Sequence, residues 1–289
     1  MTTLPPRKPP VTLNRLQQLL TEAEKQTGQP VRRLNMRVAS MMLAGALSRL
    51  LDDAGEPTFL TKGGLGMELR MGDQARATQD VDIVLRGDPG TLIDNFEQAL
   101  DEPYEGFVFI AGEPEPLPRR PDVQRVMVRV VFGGKVFTTL AVEVAPVEAG
   151  GDEFERVPAH DLSDIGLRGP ESIPVLALHW QIAQKLHAVT GAPLQANGEN
   201  VRFRDLIDLQ LLEVLASSSL RRAREACVAV FAHRDEQSWP PEITIYPSWP
   251  EGYRAMAAEL EMPITDVSDA VTAVAAFIDR IDNASPSPM

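Results

Sequence analysis

Apolar and polar residues change their spacing several times along this chain, and each change marks an element. Residues 13–26 put Leu16, Leu19 and Leu20 on one side of a helix that Gly28 and Pro30 close. Residues 31–53 repeat the helical spacing at Leu34, Val38, Met41, Met42 and Leu47, a stripe expected in the core, and Gly55 and Pro57 end it. A strand is expected over 58–62, then Gly63-Gly64, a short helix over 65–71, and an apolar strand run, Ile83-Val84-Leu85, headed by Asp80-Val81-Asp82. Residues 89–100 form a helix carrying Leu92, Ile93, Phe96 and Leu100. Strands follow over 106–111, 125–132 and 136–144, the last two joined at Gly133-Gly134, a strong hairpin signal. Between them, 114–121 reads as a Pro-rich charged loop.

Beyond the meander the character changes. Residues 148–172 are acidic and irregular, with Gly150-Gly151, Pro158 and Pro170, and read as a linker or a covering loop. Helical spacing then returns over 174–189, 203–215, 219–232, 251–261 and 266–281. A loop with Gly191, Pro193, Asn197 and Gly198 separates the first two, and Trp239-Pro240-Pro241 to Trp249-Pro250 is a proline-punctuated loop. Residues 1–12 are a Pro-rich tail. The predicted fold class is α+β: a small mixed sheet with N-terminal helices over 13–147, then a helical bundle over 173–289. No internal repeat or coiled-coil heptad interrupts this order.

Composition narrows the function. No apolar run approaches the ~20 residues that a membrane helix needs, and the N-terminus has no hydrophobic signal core. Cys227 is the single cysteine, which excludes an internal disulfide and a zinc site built from several cysteines; a cytoplasmic location fits. A net charge of −13 argues against broad, non-specific nucleic-acid binding but leaves room for a local basic groove. Arginines cluster near residues 32–37, 119–129, 202–204 and 221–224, where solvated faces are the plainer reading.

The chemistry concentrates in residues 61–86. Side chains on a strand alternate faces, so Asp80 and Asp82 point the same way and Val81 points the other. Two carboxylates so placed repel unless a cation lies between them, and hard divalent ions take one or two carboxylates plus substrate phosphates. That is the functional reading; a solvated strand start is the plainer one. Glu143 sits in the apolar run Leu140 to Val144, where a carboxylate needs a partner or a metal unless it lies on an edge strand facing water. It is the third acidic candidate. In the helical half, Lys185 sits beside the buried stripe Leu178, Ile182, Leu186 and Val189, and Asp205 and Asp208, at i and i+3, share a helix face.

Four stretches in this order resemble a known family: Lys62-Gly63-Gly64; Thr78-Gln79-Asp80-Val81-Asp82; Trp180-Gln181-Ile182-Ala183-Gln184-Lys185-Leu186; and Arg204-Asp205-Leu206-Ile207-Asp208-Leu209. The sequence resembles the AbiEii-type nucleotidyltransferase toxins, with the MenT toxins among their relatives. The resemblance implies a DNA polymerase β-like nucleotidyltransferase fold, metal-dependent transfer of a nucleotide from an NTP, and, as in the MenT group, the 3′ end of tRNA as acceptor, so that translation stops. It also implies a cognate antitoxin. One departure stands out: the motif's Gly-Ser pair is Gly63-Gly64 here, and its distance to Asp80 is longer than the commonest form.

On that reading Asp80 and Asp82 hold Mg²⁺ or Mn²⁺, with Glu143 as a third ligand. Gly63 and Gly64 let the backbone approach the triphosphate, Thr78 hydrogen-bonds a phosphate, and Lys62 and Arg76 are secondary phosphate or RNA candidates. Lys185 resembles the family's motif lysine and suits a β- or γ-phosphate. Asp208 resembles the later aspartate, orienting Lys185 or binding the nucleotide. Asp205 has Arg204, Lys185 or an N-terminal arginine as possible partners, and His187, two residues from Lys185, points elsewhere as a surface or packing histidine. Thr78 is also a candidate phosphorylation site, since a charge of about −1.5 to −2 there opposes the triphosphate. Two rivals stand beside this reading. One is a small-molecule nucleotidyltransferase of the aminoglycoside-modifying kind, which the acidic charge suits. The other is a non-enzymatic module with a decayed site, against which Asp80, Asp82 and Lys185 together speak.

Overall fold

The computed structural model describes residues 8–118, 120–191, 202–216 and 219–284. Most of the tail expected over 1–12, and Pro193, Asn197 and Gly198 of the expected loop, lie outside the described residues. The fold is mixed α+β, and the chain divides into two compact units.

The first unit comprises Met1–Gly72, Ala77–Val147 and Phe154–Val175. It opens with α1 (Leu13–Thr27), capped by the Thr12 hydroxyl, which accepts from the Arg15 amide, and stopped by left-handed Gly28. Helix α2 (Val31–Leu47) is shorter than the expected 31–53, and every residue from Val38 to Leu47 is buried, so the methionine stripe is core. Strand β1 (Phe59–Lys62) leads directly into α3 (Gly63–Met71). Strand β2 (Asp80–Leu85) and α4 (Leu92–Leu100) follow, then β3 (Phe107–Ala111), β4 (Glu115–Leu117), β5 (Arg120–Phe132) and β6 (Lys135–Pro146). The β5–β6 turn is Gly133-Gly134, both at positive φ, as a two-residue turn matching strand twist requires.

The segment expected as a linker or covering loop instead carries β7 (Phe154–Pro158) and leads into β8 (Ser172–Leu176). Both strands join the sheet, in the order β3-β5-β6-β2-β1-β8-β7 with β4 on β5. β8 is buried along four of its five residues. A strand buried on both faces reads as a plain apolar run, so the helix expected over 174–189 takes in residues 174–176 of β8, whereas α5 starts at Leu178. β7 is half charged and lies at the sheet's edge, so it shows no alternation. β4 falls within the expected Pro-rich loop.

The sheet is mixed: β2 runs antiparallel to β1 and parallel to β6. One face is the core, built on Val81, Ile83 and Leu85 of β2, Val126, Val128 and Val130 of β5, and Leu140, Val142 and Val144 of β6, with α1, α2 and α4 among the elements packed on it. Each such burial stabilises by roughly 1.5–3 kcal/mol. The alternate residues on these strands, Asp80 and Asp82 among them, lie on the opposite face.

The second unit comprises Asp73–Arg76, Glu148–Glu153 and Leu176–Met289. Its helices are α5 (Leu178–Thr190), α6 (Phe203–Ala216), α7 (Leu220–Arg234), α8 (Trp249–Glu259) and α9 (Val267–Asp282). Its segment Glu148–Glu153 is held by ion pairs: Arg234 donates to both Glu148 oxygens at 2.7 and 3.0 Å, and Glu153 meets His179 at 2.8 Å and Arg222 at 2.6 Å. Among the described residues no helix is long and apolar enough to cross a membrane.

Candidate active site

The acid pair sits in the middle of the sheet. Val81 is fully buried in the core, and Asp80 and Asp82 flank it on the other face, half-buried. Register carries the arrangement sideways, because residues directly opposite each other share a face. Lys62 on β1 is opposite Asp82; Asp82 is beside Glu143 on β6; Glu143 is opposite Arg125 on β5. Four strands therefore present one row of charge, Lys62–Asp82–Glu143–Arg125. The next row is Asp80–Ala141–Met127.

Two glycines make room for this row. Gly63, the first residue of α3, has φ +58°, and a Cβ on it would fall 1.9 Å from Oδ2 of Asp82. A Cβ on Gly64 would fall 2.5 Å from the Thr78 hydroxyl. The expected reason for the pair was close approach of a triphosphate. In the structure the groups it admits are the Asp82 carboxylate and the Thr78 side chain. Asp82 thus lies against the first turn of α3, where the helix dipole favours negative charge. Gly63→Ala is expected to cost roughly 1–2 kcal/mol for its left-handed backbone alone. It should also move the Asp82 carboxylate, which for a misplacement of about 1 Å lowers activity about a hundredfold. Urea unfolding and a transfer assay check both effects, and an unchanged rate would dissociate the glycine from the carboxylate.

Thr78 is buried, and its Oγ1 donates to the Asp80 carbonyl at 2.9 Å and to Asp80 Oδ1 at 3.2 Å. It orients the acid, and both phosphate contact and phosphorylation would require it to leave Asp80. Glu143 lies on an internal strand, its side chain one-fifth exposed, and Arg125 donates to its Oε1 at 2.5 Å. That hydrogen bond, with the Glu143 charge, raises the Arg125 pKa further above its ordinary value. Among the described residues, no three His, Cys, Asp or Glu side chains are gathered closely enough to hold a metal ion. Asp80 and Asp82 thus stand as a pair, and the third carboxylate is in the grip of a guanidinium. Their oxygens are the hard donors that Mg²⁺ and Mn²⁺ prefer, and a pair plus substrate phosphates is a usual magnesium set.

The helical unit holds a second cluster. Lys185 on α5 is buried, and its Nζ donates to Asp205 Oδ1 at 3.0 Å and to Asp208 Oδ2 at 2.6 Å. Asp208 is fully buried and also takes Arg76, with nitrogens at 3.2 and 3.3 Å from Oδ2. Asp205 lies 3.6 Å from Arg202. Burial by itself would push the Lys185 ammonium toward neutrality, but the Asp208 and Asp205 charges outweigh it and raise its pKa. Burial likewise opposes ionisation of Asp205, and the Lys185 and Arg202 charges overcome it, so its pKa falls below the ordinary 3.8. Of the partners open to Asp205, Lys185 is the one it takes. Arg76, a phosphate or RNA candidate from sequence, is bound to Asp208. His187 is buried, as a packing histidine should be, against Phe231 and with Nδ1 3.1 Å from Arg234.

The depressed pKa of Asp205 gives stability that is present above the ordinary carboxyl range and lost as pH falls through the folded value. Urea midpoints should therefore fall between about pH 5 and pH 3 more steeply in the wild type than in Lys185→Met, where the cause of the depression is gone. Equal slopes would remove the pair from the acid response.

The Arg125–Glu143 pair was missed from sequence, although a signal existed. Counted from the Gly133-Gly134 turn, Arg125 pairs with Val142. The apolar alternation of the two strands matches only if one residue is inserted, and the structure has that irregularity between Val130 and Val131.

Comparison with known proteins agrees with this architecture. The sequence model of one family, described as "Nucleotidyl transferase AbiEii toxin, Type IV TA system", matches residues 45–280. Among solved structures, MenT4, a nucleotidyltransferase toxin from Mycobacterium tuberculosis H37Rv, is similar with a TM-score of 0.60 and 17% identity, over 93% of this chain and 90% of that one. An antigenic nucleotidyltransferase-like protein from Paracoccidioides brasiliensis is similar with a TM-score of 0.42 and 17% identity, over 70% and 89% of the two chains. Only the first is near enough to argue the fold from. No curated protein matches the sequence.

Proposed function

The chain belongs to the AbiEii family of nucleotidyltransferase toxins from type IV toxin–antitoxin systems, and from that premise we propose that it transfers a nucleotide from an NTP to an RNA acceptor, the 3′ end of tRNA, and so stops translation. The observation that carries the reading is the acid pair: Asp80 and Asp82 on one sheet face, with Asp82 against the α3 N-terminus and Thr78 fixing Asp80. Such transfer depends on positioning and on neutralising charge at the phosphates, with little covalent work for the protein.

Asp80 and Asp82 would hold Mg²⁺ or Mn²⁺, which when bound neutralises phosphate charge and favours the ionised form of the attacking hydroxyl. Glu143 would join them through Oε2, the oxygen that Arg125 does not hold, or by giving up Arg125. Lys62, opposite Asp82, is the cation nearest in register and is assigned to the triphosphate. Gly63 and Gly64 add no side chain of their own at the α3 end, where Asp82 and Thr78 already lie and phosphate oxygens would have to approach. Lys185 and Asp208 are assigned to the nucleotide through the family motifs, and the buried carboxylates keep Lys185 charged for that work. A cognate antitoxin is the expected protein partner.

The test is incubation of the purified protein with Mg²⁺, each of four labelled NTPs in turn, and deacylated tRNA or an aminoglycoside. Label on the tRNA 3′ end is the expected result. Label on the aminoglycoside would replace the acceptor assignment, and label on neither would remove the transferase reading.

A further inference from the structure

The acid-bearing face of the sheet continues past the acid pair, and there it is open. Beyond the row Asp80–Ala141–Met127 comes Thr139–Arg129–Ile110, and then Val136–Val131–Val108. Met127 is 48% exposed, Ile110 41%, Val108 40% and Val136 53%. Neighbouring exposed apolar residues of this kind mark an interaction surface. At its centre is Arg129, exposed, its side chain making no hydrogen bond or ion pair among the described residues. An unpaired guanidinium on an apolar strip is conspicuous in a chain of net charge −13.

The geometry points to this strip as the track of the acceptor strand: a single-stranded RNA whose 3′ end reaches Asp80 and Asp82 and whose preceding nucleotides lie along β5. This rests on the transferase reading. Three observations favour RNA. The strip shares its face with the acid pair and is continuous with it through Met127. β5 presents Met127 and Arg129 two residues apart on this face, and strand residues rise about 3.3 Å each, so Arg129 stands about 7 Å beyond Met127 along the strand. That is comparable to one step between backbone phosphates in an extended strand. Finally, an exposed cation beside aliphatic side chains offers a charge to a phosphate and an apolar surface to a base, an aliphatic counterpart of the aromatic platforms that single-stranded nucleic acid uses. Arg125 is tied to Glu143, so Arg129 is the cation at liberty to meet a phosphate.

The test compares wild type with Arg129→Ala, Arg129→Lys and Met127→Ser, each checked for an unchanged melting temperature. Acceptor and NTP KM values are measured over a range of salt. For Arg129→Ala, KM for tRNA is expected to rise about tenfold with KM for the NTP unchanged, and the slope of log KM against log salt to fall by about 0.7, one single-strand phosphate contact. Arg129→Lys should restore the slope, and Met127→Ser should raise acceptor KM without altering it. An active wild type whose variants keep acceptor KM and slope would overturn the track and spare the transferase reading. Variants that instead lose only the binding of a protein partner would overturn it as well. A wild type that labels no RNA would end both.

Discussion

Asp82→Ala is expected to lower nucleotidyl transfer by at least about a thousandfold while the protein stays folded. Asp82 lies between Lys62 and Glu143 in the charged row and beside Asp80 on its own strand. Removing it relieves repulsion with Asp80 and Glu143 and forfeits attraction to Lys62, so the stability change should stay within about 1 kcal/mol. On the proposed reading the catalytic change is of another order, because this carboxylate would hold the cation that neutralises phosphate charge in the transition state. Asp82→Asn sharpens the comparison: it keeps the shape and removes the charge. If charge is what matters, both variants fall together in a labelled-NTP assay, with circular dichroism unchanged. A kcat within tenfold of wild type in either would mean that the row is structural.

That pair was legible from sequence because it depends only on the period-two alternation of a strand. Val81 had to turn inward if Ile83 and Leu85 did, and the two acids then share the other face. The α+β order was legible for the same reason, each helix and each meander strand showing its own period. What could not be read is pairing across distance. That two acids at i and i+3 share a helix face follows from local geometry. That both take the ammonium of Lys185, 20 and 23 residues away on another helix, does not: from sequence Lys185 is one of several partners or roles open to each. The glycine pair shows a second limit. Sequence indicates a close approach at Gly63-Gly64 but not what approaches, and the structure puts the Asp82 carboxylate and Thr78 there. The third limit is β7 and β8. An edge strand with two adjacent charges and an internal strand that is apolar beyond its first residue both lack the pattern by which strands are recognised.

The largest stability effect should come from Asp208→Ala. Asp208 is fully buried and serves Lys185 at 2.6 Å and Arg76 at 3.2 Å through one oxygen. Its other oxygen has no partner among the described residues, so the acid is held by charge at Oδ2 alone. Truncation leaves the buried Lys185 ammonium with Asp205 as its remaining carboxylate and takes from Arg76 the carboxylate it shares. Removing one partner of a buried ion pair costs about 3–5 kcal/mol, which a urea midpoint registers directly. Lys185→Met should cost a similar amount, since it strands Asp205 and Asp208 together in a low-dielectric site. The two losses describe one interaction, so the double variant should cost less than their sum by about 1–3 kcal/mol. Activity separates structure from chemistry in the same series. If Lys185 also meets the nucleotide, the double variant recovers stability relative to the sum of the single losses but recovers no transfer. Full additivity of the stability losses would break the cluster into unrelated contacts, and transfer returning in the double variant would confine Lys185 to holding the helices together.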